Sequence, residues 1–261
     1  IDPDRLEVIG VCGNSMGWYT ALVAAGALSP DAGARLIETM AWYQADNVIG
    51  GQIVYPMVDD EWRLDPAAVD AVGAAVSTVP DLHWSIRLGG QAVLGGSLDA
   101  LVAAGERLPA FERGGIRFPL RLPLHSAFHT PLMAETRARA ARDLADLDIS
   151  PPRVPLVDGR GQVWPAGWAD ASAMREWTLG AQVSEAFDFT AMVTAALGDL
   201  APDVVVLPGP GTNLGGAIAQ VMIQLGWQGI HSKSDFLARQ ADDPIVLAMG
   251  RPDQRGRVVR S

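Results

Sequence analysis

Short apolar runs alternate along this chain with amphipathic stretches of helical period, and that alternation predicts a layered α/β protein. Residues 6–12 read as a buried strand, followed by a sharp turn and a small-residue helix to about Ala27. Ser29 and Pro30 start a second helix as N-cap and N1, with Leu36, Ile37 and Met40 on one face. Residues 52–58 form a strand, and Asp65 and Pro66 open a helix carrying Val69, Val72 and Val76. Residues 82–88 and 91–95 are strands joined across Gly89 and Gly90; Ser97 caps a helix bearing Leu98, Leu101, Val102 and Leu108; residues 116–124 close the series. This βαββαβ order predicts a ferredoxin-like lobe, residues 49–121, inserted into a larger domain of residues 1–48 and 122–261.

Beyond the insert, Thr130 and Pro131 lead into a helix to about residue 147, and residues 154–157 resume the main sheet. Residues 164–177 read as loop and short helix, and residues 190–200 as a helix with Met192, Val193, Ala196 and Leu197 inward. Residues 203–207, DVVVL, carry an unbroken apolar run after Asp203, as in a strand covered on both faces. A turn at Pro208-Gly209-Pro210-Gly211 starts a helix with Leu214, Ile218, Val221 and Met222; residues 229–232 read as an edge strand, and residues 251–261 are expected to fray. The fold class expected is α/β: a mostly parallel sheet with helices on both faces, an α/β-hydrolase-like core, plus the small lobe.

With 261 residues and 49% hydrophobic content the chain can bury a large core. It has no apolar run long enough to span a membrane, and IDPDRLEV is unlike a signal peptide, so a cytoplasmic location without membrane contact is expected. Cys12 is the only cysteine and the four histidines are scattered, which argues against a metal centre. A net charge of −10 argues against nucleic acid. Arginines gather at 113, 117 and 121, at 137, 139 and 142, and from 251 to 260; they read as solvated faces or as docking points for an acidic partner.

Gly13-Asn14-Ser15-Met16-Gly17 has the spacing of a nucleophile elbow, which holds a serine hydroxyl between a strand and a helix N-terminus. Free N–H groups there can meet an oxyanion. A plain structural turn is the alternative. An attacking serine needs a base, usually histidine. His83 lies inside a strand and His231 near the C-terminal end, whereas His125 and His129 lie where the insert returns to the main domain. His129, in the loop-like segment 126–131, is the preferred base, with His125 next.

GNSMG, LPLHSAFHTPLM and LPGPGTNLGG occur in that order, with Ser15 and His129 114 positions apart and Gly89-Gly90-Gln91 at a small-lobe turn. As a set these resemble the GHSxG, LPVSxPFHxxLM and xxGPGxxLxG motifs of the malonyl-CoA:acyl carrier protein transacylase family, the acyltransferase fold of fatty acid and polyketide synthesis. The resemblance implies that Ser15 takes an acyl group, malonyl in the family, from a coenzyme A thioester, with His129 as general base. The acyl-serine then passes its group to the phosphopantetheine thiol of an acyl carrier protein. It also implies the Met16 N–H as an oxyanion donor and a main-chain carbonyl within Leu207, Pro208 and Gly209 orienting the histidine. A monomer with no permanently bound cofactor is expected.

The chain departs from the family pattern at several points. The family's GQGxQ segment, whose glutamine helps form the oxyanion hole, has no counterpart here; the chain alone is therefore expected to expose an apolar edge and to be poorly soluble or weakly active. Met40 stands where the family has the arginine that clamps a malonyl carboxylate, and Arg87, where an asparagine is usual, is the candidate to replace that charge. Asn14 and Trp18 replace the family's His and Glu, so Trp18 joins Met40, Arg87 and Phe128 as candidate acyl-pocket residues. A serine acyl-hydrolase, and a truncated relative that only binds a carrier protein, are the competing readings.

Overall fold

The computed structural model describes residues 1–209 and 211–259; Pro210 of the expected turn, and Arg260 and Ser261 of the expected tail, lie outside the described residues. The chain runs through β1 (Val11–Cys12), α1 (Gly17–Ala24), α2 (Pro30–Asp46), β2 (Gly51–Pro56), α3 (Pro66–Thr78), β3 (Leu82–Leu88), β4 (Gln91–Gly96) and α4 (Leu98–Arg107). A hairpin of β5 (Phe111–Arg113) and β6 (Ile116–Phe118) precedes β7 (Leu120–Leu122). After a 3₁₀ turn at Pro131–Met133 come α5 (Ala134–Asp143), β8 (Leu156–Val157), β9 (Val163–Trp164), α6 (Ala171–Leu179), α7 (Ala181–Ser184) and β10 (Phe187–Asp188). The last elements are α8 (Phe189–Asp199), β11 (Val205–Leu207), α9 (Leu214–Leu225), α10 (Lys233–Asp242), β12 (Val246–Ala248) and α11 (Pro252–Arg255).

The mostly parallel sheet expected above is not what forms. The largest sheet among the described residues has the order β10-β3-β4-β2-β7 and is antiparallel except where its edge strand β10 pairs with β3. The parallel pairings, β1 with β8, β10 with β3 and β11 with β12, involve two or three residues per strand, whereas β2 and β4 pair along their whole length. Connection length accounts for the difference. β3 and β4 need only the turn at Gly89 and Gly90, with Gly89 at φ 62°, while parallel neighbours require a long crossover.

Side-chain caps start the helices where expected: Ser29 accepts from the Ala32 N–H, Asp65 from Ala67 and Ser97 from Ala100. Three buried clusters hold the layers together. Val72, Leu82, Leu94 and Leu101 fill the space between the large sheet and α3 and α4. Ile86, Val93, Phe189 and Met222 belong to the cluster that α8 and α9 share with the sheet, and Leu22, Leu36, Leu144 and Met174 to one formed by α1, α2, α5 and α6. The candidate site lies where the α1–α2–α5–α6 group meets the antiparallel sheet.

Several expected elements shift. The first strand shrinks to Val11–Cys12, with Val8 and Ile9 exposed rather than buried. The run 116–124 breaks at Pro119 into β6 and β7, and Leu124 is exposed. Leu98 and Val102 face outward because Ala100, Leu101 and Ala104 make the buried face of α4. DVVVL is half-buried, being paired on one side only by β12. Residues 229–232 form no strand, and the segment expected to fray instead forms α11, with Val258 buried and its carbonyl accepting from the Asp2 N–H. Among the described residues no helix is long and apolar enough to cross a membrane.

Candidate active site

β1 ends at Cys12 and the chain reverses through Gly13–Gly17 into α1. Gly13 is required there, since a Cβ would collide with the carbonyl of Gly17. The Gly17 N–H donates to the Asn14 carbonyl at 2.7 Å and the Trp18 N–H to the Ser15 carbonyl at 3.0 Å, closing the turn onto the helix. Ser15 sits at φ 55°, a left-handed conformation that a non-glycine residue adopts at a cost. That geometry lifts its hydroxyl off the end of the strand.

His129 also has a left-handed backbone, at φ 60°, and its ring is buried. Nε2 lies 2.7 Å from Ser15 Oγ, and Nδ1 lies 2.6 Å from the carbonyl oxygen of Gln182. A carbonyl can only accept, so Nδ1 carries the proton and Nε2 is left as the acceptor facing the serine hydroxyl. Burial holds the imidazole well below its ordinary value, at about 4, against the opposing pull of the Gln182 carbonyl. The neutral, proton-accepting form is therefore the resting form at neutral pH.

Gln182, on α7, ties three parts of the site together. Its carbonyl holds His129, its Nε2 donates to the Ser15 carbonyl at 3.0 Å, and its Oε1 accepts from the Tyr19 hydroxyl at 2.9 Å. Burial pushes the Tyr19 phenol upward, so it stays protonated as a donor. Ser15, Met16, Tyr19, Met40, Phe128, His129, Gln182 and Val183 line one small cleft. Its walls are apolar apart from the serine, tyrosine, histidine and glutamine, and among the described residues no Arg or Lys lines it. Met16 precedes the first residue of α1, where backbone N–H groups have no helical partner.

Ser15, His129, Met16, Met40 and Phe128 are thus brought together as expected from sequence. Three other expectations are corrected. Trp18 is not a cleft residue: it is fully buried in the core, its indole N–H donating to Thr178 Oγ1 at 2.9 Å. Tyr19, the next residue, takes the cleft position instead. Arg87 does not line the cleft; it pairs with Asp188 at 3.7 Å and lies over the Trp84 ring at 4.2 Å. Leu207, Pro208 and Gly209 do not orient the histidine, because the Gln182 carbonyl does; Leu207 accepts from the Met249 N–H at the end of β11. His125 is exposed, with Nδ1 at 2.8 Å from the Pro123 carbonyl. Among the described residues no group of three His, Cys, Asp or Glu side chains gathers to hold a metal ion.

Comparison with known proteins bears on the fold and on part of the sequence. No family model matches the chain. It is 30% identical over 151 residues to the malonyl CoA-acyl carrier protein transacylase of Salmonella typhimurium, covering 57% of this chain and 46% of that one. The chain spans less than half the length of that relative. Its fold matches the malonyl-CoA:ACP transacylase of Synechocystis with a TM-score of 0.73 at 18% identity, over 97% of this chain and 73% of the other. A malonyl-transacylase solved in complex with a type II polyketide synthase acyl carrier protein matches with a TM-score of 0.66 at 21% identity, over 83% and 67% of the two chains. The chain is similar in sequence to the Salmonella transacylase over 151 residues and has the fold of the two solved ones.

Proposed function

We propose that this chain, which shares sequence and fold with malonyl CoA-acyl carrier protein transacylases, transfers a small acyl group, malonyl, from coenzyme A to the thiol of an acyl carrier protein. The observation that carries the proposal is the hydroxyl of Ser15 at 2.7 Å from Nε2 of a buried His129 whose other nitrogen is bound to a carbonyl. His129 removes the serine proton as Oγ attacks the thioester carbon. The Met16 N–H is the proposed donor to the oxyanion that then forms. The thiol of coenzyme A leaves with a proton from the imidazolium, and an acyl-serine remains. The carrier's phosphopantetheine thiol attacks that ester in turn, with His129 again as base.

The lobe boundaries belong to the same reading. The strand order β3-β4-β2-β7, with α3 and α4 on one face, supports a ferredoxin-like insert at residues 49–121 within a larger core of residues 1–48 and 122–261. No resident cofactor enters the chemistry, and a cytoplasmic site of action is expected for it.

The test is incubation with malonyl-CoA followed by intact and peptide mass spectrometry. One malonyl mass on the peptide containing Ser15, absent in Ser15→Ala and discharged by a carrier protein bearing phosphopantetheine, is the expected outcome. Discharge to water at the same rate with and without carrier would mean a hydrolase. No label on any residue would leave a carrier-binding protein without chemistry.

A further inference from the structure

The loop that bears His129 is held from two sides. On one side the His129 N–H donates to the Val183 carbonyl at 3.0 Å, and Nδ1 reaches Gln182. On the other side the preceding residues rest against the antiparallel sheet and the strand entering it. The Ala127 N–H donates to the Ile49 carbonyl at 2.7 Å, and the Ile49 N–H to Ser126 Oγ at 3.0 Å. The Phe128 carbonyl accepts from the hydroxyl of Ser85 at 2.8 Å and lies 3.5 Å from Nε2 of Gln52. Gln52 Nε2 also donates to Ser85 Oγ at 2.7 Å.

Gln52 on β2 is 4% exposed and Ser85 on β3 is 0% exposed. Polar side chains buried this deeply are costly unless bonded, and both direct their bonds toward one backbone carbonyl. The sheet is shaped to allow it. The pairing of β3 with β4 shifts register between Trp84 and Ile86, which leaves Ser85 as the extra residue of a bulge, a device that re-aims a side chain. Gly95, the cross-strand partner of Gln52, keeps the space open: a Cβ there would lie 2.9 Å from Thr130 Cγ2 and 3.3 Å from Ser85 Cβ.

We infer that Gln52 and Ser85 are positioning residues for His129, forming a latch from the sheet to the Phe128 carbonyl that fixes where the imidazole stands over Ser15. The inference rests on the proposed roles of Ser15 and His129. It explains how a non-glycine residue at φ 60° is held in place, since the peptide before His129 is fixed by the latch and the residue itself by α7. The ring is faced by Ser15 from the elbow, Gln182 from α7, Phe187 from β10 at 5.4 Å and Phe128 from its own loop, and among the described residues no charged side chain lines the cleft.

The experiment compares wild type with Ser85→Ala, Ser85→Cys and Gln52→Leu, each checked for folding by circular dichroism. Two quantities are read: single-turnover acylation of Ser15 by malonyl-CoA, and the titration of the His129 imidazole by NMR. Ser85→Ala should slow acylation roughly 10- to 10²-fold with KM unchanged, the scale of a small misplacement of a reacting group. Its His129 titration should rise from about 4 toward the ordinary histidine range as the loosened loop admits water. Ser85→Cys, which keeps a weak donor, should recover part of both, and Gln52→Leu should move both in the same direction as Ser85→Ala by less. A folded Ser85→Ala protein with the wild-type His129 titration, whatever its rate, would overturn the latch. A wild type that never acylates Ser15 would overturn the proposed reaction, and the titration would still decide the latch.

Discussion

Ser15 and His129 stand 114 positions apart in sequence, both in left-handed backbone conformations, with Oγ and Nε2 2.7 Å from each other. Neither residue is a glycine, so each carries a local conformational cost that its surroundings must offset. At Ser15 the start of α1 and the Gln182 amide do so; at His129 the α7 carbonyls and the Phe128 contacts do. The pair is fixed before any substrate arrives, and such preorganisation lets a hydroxyl and an imidazole act together.

Removing the base should therefore be costly and specific. His129→Ala should slow acylation of Ser15 by about 10²–10⁴, the usual share of general base catalysis. His125→Ala should leave the rate unchanged, because that ring is exposed and held by the Pro123 carbonyl. Single-turnover acylation at saturating malonyl-CoA separates them. A large loss in His125→Ala, with His129→Ala intact, would exchange their roles.

The pH dependence follows from the depressed imidazole. His129 in the folded protein stays neutral down to about 4, while the unfolded chain takes a proton near the ordinary value of 6.5. Above that ordinary value both states are neutral and folding is unaffected by this group. As pH falls from there toward 4 the unfolded state alone gains a proton, and stability drops by ~3 kcal/mol in total. Acylation should accordingly hold level from neutral pH to about 5, while denaturant midpoints over the same window decline. An acid limb centred on the ordinary histidine value would show that the ring is solvated in solution. His129→Ala should flatten the decline in stability across this window.

The pairing of Ser15 with His129 was legible in sequence because each lies in a motif defined by its side chains. The carbonyl that orients His129 was not, since a backbone acceptor has no side-chain identity; the turn at Leu207–Gly209 was favoured by motif when Gln182 performs the task. Trp18 was misplaced through the elbow's sequence neighbours; with Ser15 outside α1, helical spacing does not separate Trp18 from Tyr19, and only the packing shows that Tyr19 lines the cleft while Trp18 enters the core. Caps at Ser29, Asp65 and Ser97 located helix starts well, because a capping side chain acts locally. Sheet direction was missed because β1, β8 and β10 are only two residues long, too short to show a periodicity. Half of the expected apolar face of α4 is the buried one: Leu101 and Leu108 are buried, whereas Leu98 and Val102 face solvent and the small Ala100 and Ala104 fill the face instead.

Gln182 offers a test that separates its backbone from its side chain. Gln182→Ala keeps the carbonyl on His129 but removes the amide that holds the Ser15 carbonyl and accepts from Tyr19. It leaves a buried phenol hydroxyl without its partner, a loss of about 1–3 kcal/mol that thermal unfolding will register. Acylation should fall by less than in His129→Ala, and the His129 titration should stay where it is. Tyr19→Phe combined with Gln182→Ala should restore part of the lost stability, because the stranded hydroxyl is gone. Equal losses in rate for Gln182→Ala and His129→Ala would show that the side chain, not the carbonyl, governs the base.

The acyl end of the cleft is where this chain departs most from a carboxylate-binding site. Met40 is 3% exposed and lines it with Tyr19 and Phe128, and a malonyl carboxylate desolvated there costs several kcal/mol unless it is paired. Arg87 is already occupied by Asp188 and Trp84 outside the cleft, so Arg87→Ala should leave malonyl and acetyl transfer equally unaffected. Met40→Arg should raise the ratio of malonyl to acetyl transfer by roughly tenfold or more, the scale of a hydrogen bond between charged groups. The same variant should unfold at a lower temperature when empty, since its guanidinium is buried without a partner, and regain stability when malonyl-CoA is added. Competition between malonyl-CoA and acetyl-CoA, read as the two acyl masses on Ser15, measures the ratio directly. A Met40→Arg ratio equal to wild type would mean that the acyl tail lies elsewhere in the cleft, and a fall in malonyl use in Arg87→Ala alone would return that arginine to the site.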